Sequence, residues 1–511
     1  MSFTAGNLVL IRENLDQVNL KLLYILTVLI CLLLGIFRAV YLLYFHPLSK
    51  IPGPTLAALS TWWQKYYAAK LLKADQIQAA HLKYGDIVRI GPNELSFSNP
   101  RHLKAIYGHN VPVLKTEFYA GGKFTSEDNV FSMRNRDQHA ARRKLMSRNF
   151  AQAPLMELAP DLMRKAQALC SKLEELGSGT INVYPWLHRL GLEFIFMLTL
   201  GRDFKLTETD THHHALRNLE VFPENFAITA IFPFLKKHGV DVPIKSIRTP
   251  FEIQAGWEKY CLEIVAEERA KMPEERSSWI KRLMDRDDDF LGRPLRDLEI
   301  AEEIVGVLFA GSGTASSTLA FLIYSVVADQ KIYAKLKREL HDELPDWPVH
   351  GDVLPDINAI QHLPYLNAVV NETLRRFPTI PGSMPRRIVS DNVKIDKLEL
   401  RKDTIVSAQN YSLHMHEEYY PSPEMFDPER FLGPDQKKAR DGLNAFSEGP
   451  RACLGRNLAV LELQIVTSLF FRYFDVKMDP SMKADDMAMK VVFSGSPSGE
   501  KVLLNLRKVT S

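Results

Sequence analysis

The sequence predicts a mainly α-helical protein with a small β-sheet region, built as one large domain behind an N-terminal membrane-spanning helix. Three observations carry this: a long apolar run near the start, helical periodicity over most of the remainder, and two short stretches with strand chemistry. A length of 511 residues would accommodate several average domains. No internal repeat, low-complexity tract or second flexible linker interrupts the chain after residue 54, however, so residues 55–511 read as a single domain.

The apolar run has no charge from Leu22 to Phe37 and continues after Arg38 to Phe45. A bilayer core needs about 20 such residues, and Arg38 is close enough to one end to snorkel. The run starts late and lacks a small-residue cleavage site, which argues against a secretory signal. Arg12 and Lys21 before it are offset by Glu13 and Asp16, whereas Arg38, Lys50, Lys65, Lys70 and Lys73 follow it. The positive-inside rule then places the body in the cytoplasm. The expected layout is a lumenal tail over 1–21, a single-pass anchor over 22–45 and a proline-rich linker over 46–54. Pro47, Pro52 and Pro54 make that linker a stiff, extended spacer.

In the body, apolar residues recur at i, i+3 and i+4 over 76–84, 138–150, 155–176, 183–200, 253–270, 300–328, 331–344, 363–377 and 457–474. Strand signals cluster at 86–97 and 393–407. Segment 221–242, with Phe222, Phe226, Phe232 and Phe234, is too apolar for an ordinary loop. It reads as a membrane-dipping or substrate-entry surface or, equally, as core helix.

Composition narrows the function. A formal net charge of +3 and no basic tail argue against nucleic acid as a partner. Cys31, Cys170, Cys261 and Cys453 are scattered with no CxxC pair, so neither a disulfide framework nor a zinc site is indicated. The run His212–His214 lacks a carboxylate or cysteine pattern around it and reads as a solvated loop.

The decisive stretch is Phe446-Ser-Glu-Gly-Pro-Arg-Ala-Cys-Leu-Gly455, which satisfies FxxGxRxCxG at every fixed position. A haem iron bound by thiolate needs a cysteine on a tight loop, open to the metal and shielded from water. Gly449 and Gly455 let the backbone turn and approach a porphyrin closely. Phe446 can cover the sulfur, and Arg451 can pair with a propionate. A helix starting at Asn457 would put its positive end near Cys453 and favour the thiolate.

On these residues the chain resembles the cytochrome P-450 superfamily, over essentially its whole length and with the layout of microsomal enzymes of fungal secondary metabolism. Thiolate ligation in that class promotes O–O cleavage. The resemblance implies haem b with Cys453 as axial ligand. Glu372-Thr-Leu-Arg375 matches ExxR and Pro428-Glu-Arg-Phe431 matches the later PERF segment, implying a Glu372–Arg375–Arg430 cluster in the haem-side core. His139-Ala-Ala-Arg-Arg143 stands where WxxxR is usual, with His139 replacing tryptophan, so His139 and Arg143 become propionate candidates. Arg386 resembles the strand arginine that reaches a propionate in relatives.

Helix 300–328 carries Gly306, Gly311 and Gly313. Each costs about 1 kcal/mol against alanine in a helix interior, and close passage over a flat cofactor would justify them. Thr314 matches the family threonine that helps deliver protons to bound oxygen. The acid usual before it is replaced by Gly313, leaving Ser312, Ser316, Ser317 or a substrate hydroxyl to complete the relay.

The expected function is a haem-thiolate monooxygenase that hydroxylates, epoxidises or otherwise oxidises a lipophilic small molecule with O2. Electrons would come from NADPH through NADPH–cytochrome P-450 reductase, with cytochrome b5 as a second donor, at the endoplasmic reticulum membrane. Arg142, Lys144, Lys335 and Lys337 are the expected docking cations. The alternatives are O2-independent rearrangement or dehydration on the same fold, and a non-enzymatic haem sensor or electron carrier. Segments 118–131, 221–235, 303–314, 379–384 and 493–498 are expected to line the substrate site.

Overall fold

The computed structural model describes residues 5–509, apart from 178, 210–220, 224, 227, 230, 231, 233 and 345–353. His212–His214 therefore lie outside the described residues. The architecture is mainly helical with small sheets, as expected. Eight helices anchor the chain or build the site: α1 (Ala5–Val40), α2 (Arg136–Ser147), α3 (Gln152–Glu175), α4 (Tyr184–Leu200), α5 (Lys245–Ala270), α6 (Asp297–Ala328), α7 (Pro364–Arg376) and α8 (Arg456–Tyr473).

Helix α6 is the central element. Its apolar residues occur all round the helix, so it needs neighbours on every side, and α4, α5, α7 and α8 supply them. Its mean hydropathy of 1.5 would suit a membrane, but 61% of the apolar window is buried inside the protein, which marks a core helix. By contrast Lys21–Phe45 is more apolar, at 2.5, and none of its window is buried. That is the segment suited to a bilayer.

The largest sheet has five strands: β1 (Ile87–Gly91), β2 (Glu94–Phe97), β3 (Val113–Lys115), β4 (Arg386–Ile388) and β5 (Ile405–Ala408), ordered β1-β2-β5-β4-β3. β2 and β5 are parallel and the other pairs antiparallel. The 393–407 signal resolves into β5 and a preceding hairpin, Val393–Ile395 with Leu398–Leu400, turned by Asp396 at φ 53°. The three-residue strands β3 and β4 are too short to show periodicity. The C-terminal pair Phe474–Met478 and Leu503–Lys508 was likewise not expected from the sequence.

The proline-rich linker is docked rather than free. Pro52 carbonyl accepts from the Arg89 N–H at 2.9 Å, and a Cβ on Gly53 would lie 2.2 Å from the Arg89 carbonyl oxygen. Arg89, itself buried, donates through Nη1 to the Leu42 carbonyl at 2.8 Å, and Leu42 and Leu48 are buried with it. The end of the apolar helix is thus seated on β1.

Segment 221–242 divides. Phe222 and Phe226 are buried, whereas Phe232 and Phe234 are exposed. The first pair belongs to the interior and the second to the surface.

Candidate active site

The loop before α8 is closed by the Cys453 N–H donating to the Phe446 carbonyl at 2.8 Å. Gly449, at φ 69°, is required for a reason other than the expected one: a Cβ there would lie 2.0 Å from the Tyr107 carbonyl oxygen. Gly455 differs, because a Cβ there would meet nothing within 4 Å. The Cys453 side chain is accessible, yet protein surrounds it closely enough that burial pushes its thiol pKa up. The N–H groups of Gly455 and Arg456, at the start of α8, and the guanidinia of Arg143 and Arg456 act in the opposite direction. Arg456 lies 5.9 Å from the Phe446 ring centroid.

Around this loop the fold gathers cations. Arg143 donates to the Ala452 carbonyl at 2.6 Å. Arg451 donates to the carbonyls of Met133, Arg134 and Asn135. Arg386, almost fully buried, bonds the Tyr119 hydroxyl. Lys115, which sequence reasoning missed, is Arg386's register partner across β3–β4, and its Nζ donates to the Phe131 carbonyl at 2.6 Å.

Like charges directly opposed on a sheet are destabilising, and the electrostatics record the strain. Burial, then the charges of Arg451, Arg386 and Arg143, hold Lys115 well below its ordinary value. Arg451 is pushed down to about 10 by burial and then Arg386. His139 falls to about 2, chiefly through burial and then Arg451, so its ring is neutral. Arg143, Arg386 and Arg451 spend their hydrogen bonds on carbonyls and a hydroxyl, and among the described residues none of the three forms an ion pair with a carboxylate. Such a group calls for an anion.

Helix α6 has an open stretch of its own. Ala310 is exposed in the middle of a mostly buried helix, and a Cβ on Gly313 would meet nothing within 4 Å. Thr314 Oγ1 donates back to the Ala310 carbonyl at 2.8 Å, leaving its lone pairs free to accept. The other two glycines have different reasons. At Gly311 a Cβ would clash with Ile195 of α4 at 2.6 Å, and Gly306 faces Asn129. Ser312 and Ser316 are corrections too: Ser312 is bonded to the Leu308 carbonyl, and Ser316 to the carbonyls of Leu187 on α4 and Ser312. Helical geometry therefore turns both serines away from the open face.

A haem fits the chemistry of these residues: an accessible, loop-held cysteine, small residues on the open stretch of α6, and arginines without carboxylate partners suited to two propionates. In the protein interior Arg375 forks onto Glu372 at 2.6 and 2.7 Å with both side chains fully buried. It also donates to the carbonyls of His414, Pro423 and Met425. Arg430 Nε stands 3.5 Å from Glu372 without hydrogen-bond alignment, while its Nη2 donates to the Ser422 carbonyl.

Aromatic side chains form a roof around Phe309 of α6. Phe226 contacts Phe118 and Phe493, with centroids 5.2 and 4.3 Å away. Phe222 stacks on Phe124 at 4.0 Å and meets Phe309 of α6 at 4.5 Å. The Gly495 N–H donates to the Thr379 carbonyl at 2.9 Å, bringing the last two expected lining segments together.

The docking cations fare unevenly. Lys144 is exposed beside Asp289, and Lys335 pairs with Glu429. Lys337 is largely covered, donating to the carbonyls of Phe471 and Phe474. Arg142 is not a surface residue: it is buried in ion pairs with Asp288 at 3.0 Å and Glu303 of α6 at 2.6 Å. One turn of α2 carries both a buried Arg142 facing α6 and an Arg143 facing the cysteine loop, a distinction that sequence spacing alone does not make.

Residues 52–504 match the cytochrome P-450 family. The chain is 28% identical to the cytochrome P-450 monooxygenase tpeC of Talaromyces stipitatus, over 89% of this chain and 90% of that protein. It is 28% identical to monooxygenase tazI of Aspergillus terreus, over 94% and 98%. It is 29% identical to monooxygenase BOT4 of Botryotinia fuckeliana, over 89% and 85%. The crystal structure of the cytochrome P450DA haem domain superposes with a TM-score of 0.75 at 19% identity, covering 90% of this chain and 98% of that one. With a family match running through nearly all of the folded body, this chain belongs to the cytochrome P-450 family and is a monooxygenase.

Proposed function

We propose that this monooxygenase holds haem b through the Cys453 thiolate and oxidises a lipophilic, polycyclic small molecule of secondary metabolism. The observation that carries the reading is the coincidence of an accessible, loop-held Cys453 with an unneutralised cation cluster. When bound, haem supplies reductive activation of O2 and insertion of one oxygen atom into the substrate.

The chain's own residues do the rest. The N–H groups of Gly455 and Arg456 stabilise negative charge on Cys453 Sγ. Arg143, Arg386, Arg451 and Lys115 bind the propionates, and neutral His139 offers one ring N–H. Glu372, Arg375 and Arg430 brace the loop beneath. Thr314, anchored on the Ala310 carbonyl, accepts a hydrogen bond from a water and so orients a proton donor over the open face. With Ser312 and Ser316 turned away, the relay draws on solvent, on Ser317 or on a substrate hydroxyl. The aromatic roof excludes water and favours an apolar guest.

In the same reading, the apolar helix anchors the protein in the endoplasmic reticulum membrane with its body in the cytosol. NADPH–cytochrome P-450 reductase, with cytochrome b5 as an accessory donor, supplies electrons at the Cys453 side. Cys453→Ser tests the central assignment. The variant should lose the red-shifted ferrous–carbonyl Soret band, because serine is a poor ligand for this iron. An unchanged band would refute the assignment.

A further inference from the structure

Beside Phe309 of α6, a small cavity of about 10 Å³ lies between Phe124, Phe222, Phe309 and Trp257. Two polar side chains also line it, Asn225 and Gln254. Asn225 is 2% exposed, and its amide orientation is settled by its neighbours. Nδ2 donates to the Pro250 carbonyl at 2.8 Å and to Gln254 Oε1 at 3.0 Å. Gln254 Nε2 in turn donates to the Phe124 carbonyl at 3.2 Å. The chain of bonds ends there. Among the described residues Asn225 Oδ1 has no partner, although it is buried.

A buried acceptor left unpaired is costly, and a buried water is the ordinary remedy. Here the remedy is poor. A buried water makes about three hydrogen bonds, whereas among the described side-chain atoms lining the cavity only Asn225 Oδ1 is wholly without a partner, and most of the lining is aromatic. The space suits a single hydroxyl or amino group attached to an apolar body. Phe309 lies five residues before Thr314, which is about 7.5 Å along the helix at 1.5 Å per residue. The acceptor is thus offset from the oxidising end of the site.

We infer that Asn225 is a specificity-determining residue: its Oδ1 accepts a hydrogen bond from one O–H or N–H donor carried by an otherwise apolar aromatic substrate. The inference rests on the monooxygenase reading above and adds a polar requirement to it. The substrate is then not a bare hydrocarbon. It reaches this enzyme already bearing a hydroxyl or amine, so an earlier oxygenation, hydrolysis or amination must have supplied that group.

The test uses full-length, haem-loaded protein and the low-spin to high-spin Soret shift on binding. Probes are matched sets: naphthalene with 2-naphthol and 2-naphthylamine, and fluorene with 2-hydroxyfluorene, 2-aminofluorene and 2-methoxyfluorene. The affinity ratio of donor-bearing member to parent should fall about tenfold from wild type to Asn225→Leu in at least one set. Asn225→Asp keeps an acceptor but loses the Nδ2 donations to the Pro250 carbonyl and Gln254 Oε1, so its ratio should fall between those of wild type and Asn225→Leu. Which of the hydroxyl and amino probes shows the larger effect identifies the donor. Ratios equal within twofold in wild type and Asn225→Leu across both sets would overturn the inference.

Should Asn225→Leu fail to take up haem, the wild-type comparison of 2-hydroxyfluorene with 2-methoxyfluorene decides. Methylating the hydroxyl should weaken binding at least tenfold, and equal affinity would overturn the inference. Loss of the thiolate carbonyl band in wild type would instead count against the functional reading itself.

Discussion

Replacing Arg375 by alanine should be among the most damaging single changes in the protein. Arg375 and Glu372 are both fully buried, and the guanidinium makes two bonds to the carboxylate and three to the carbonyls of His414, Pro423 and Met425. Removing one partner of a buried ion pair costs about 3–5 kcal/mol, because the other charge is left uncompensated. Each orphaned carbonyl adds roughly 1 kcal/mol. Relief is partial: burial already pushes the Glu372 carboxyl up, with Arg375 working against it, so without Arg375 the carboxyl takes a proton. The net loss is about 5 kcal/mol, comparable with the whole stability of a marginal domain. Urea unfolding followed by circular dichroism should show it, alongside haem content by pyridine haemochrome. Arg375→Lys should fall between, since lysine cannot form the fork. A variant with full haem and a loss under about 1 kcal/mol would refute the argument.

Other outcomes follow from the site. Lys115→Gln keeps a donor for the Phe131 carbonyl but removes a charge from the cluster, so transfer of haem to apomyoglobin should speed several-fold; an unchanged rate would exclude Lys115 from propionate binding. Thr314→Ala should raise hydrogen peroxide release per NADPH consumed, whereas Gly313→Asp should fold normally, because its Cβ meets open space. Glu302, buried on α6, accepts from the N–H groups of Phe124 and Thr125 and from Asn129 Nδ2, and burial pushes its pKa from 4.5 up to about 7. Its folded form therefore holds a proton that the unfolded chain has already lost between those values. That contribution is fully present below pH 4.5 and disappears as pH rises through 7. Relative to Glu302→Gln, the wild-type urea midpoint should thus decline from pH 5 to pH 8; a relative rise would contradict the assignment.

Sequence alone determined the elements with long, repeated patterns. The nine expected helices are present within a few residues, apart from 253–270, which starts eight residues earlier at Lys245, and 138–150, whose last turn narrows to a 3-10 helix. Periodicity survives because burying one face of a long helix outweighs local preference. The cysteine loop, Glu372, Arg375 and Thr314 were legible for another reason: each sits in a short motif whose residues act together over a few positions of chain.

Only the tertiary structure decided which neighbours meet across the fold. Lys115 carries no motif and sits on a three-residue strand, yet strand register sets it opposite Arg386. Arg142 and Arg143 are adjacent in sequence and part company in space, because a step of about 100° around a helix points them at different partners. Gly311 and Gly449 looked like cofactor glycines, but each answers to a clash from another element, Ile195 and Tyr107. Asn225, in an apolar stretch with no motif, stands out only when its partners are counted and one oxygen has none among the described residues. Pairings between distant segments depend on packing and register, quantities that a linear pattern does not contain.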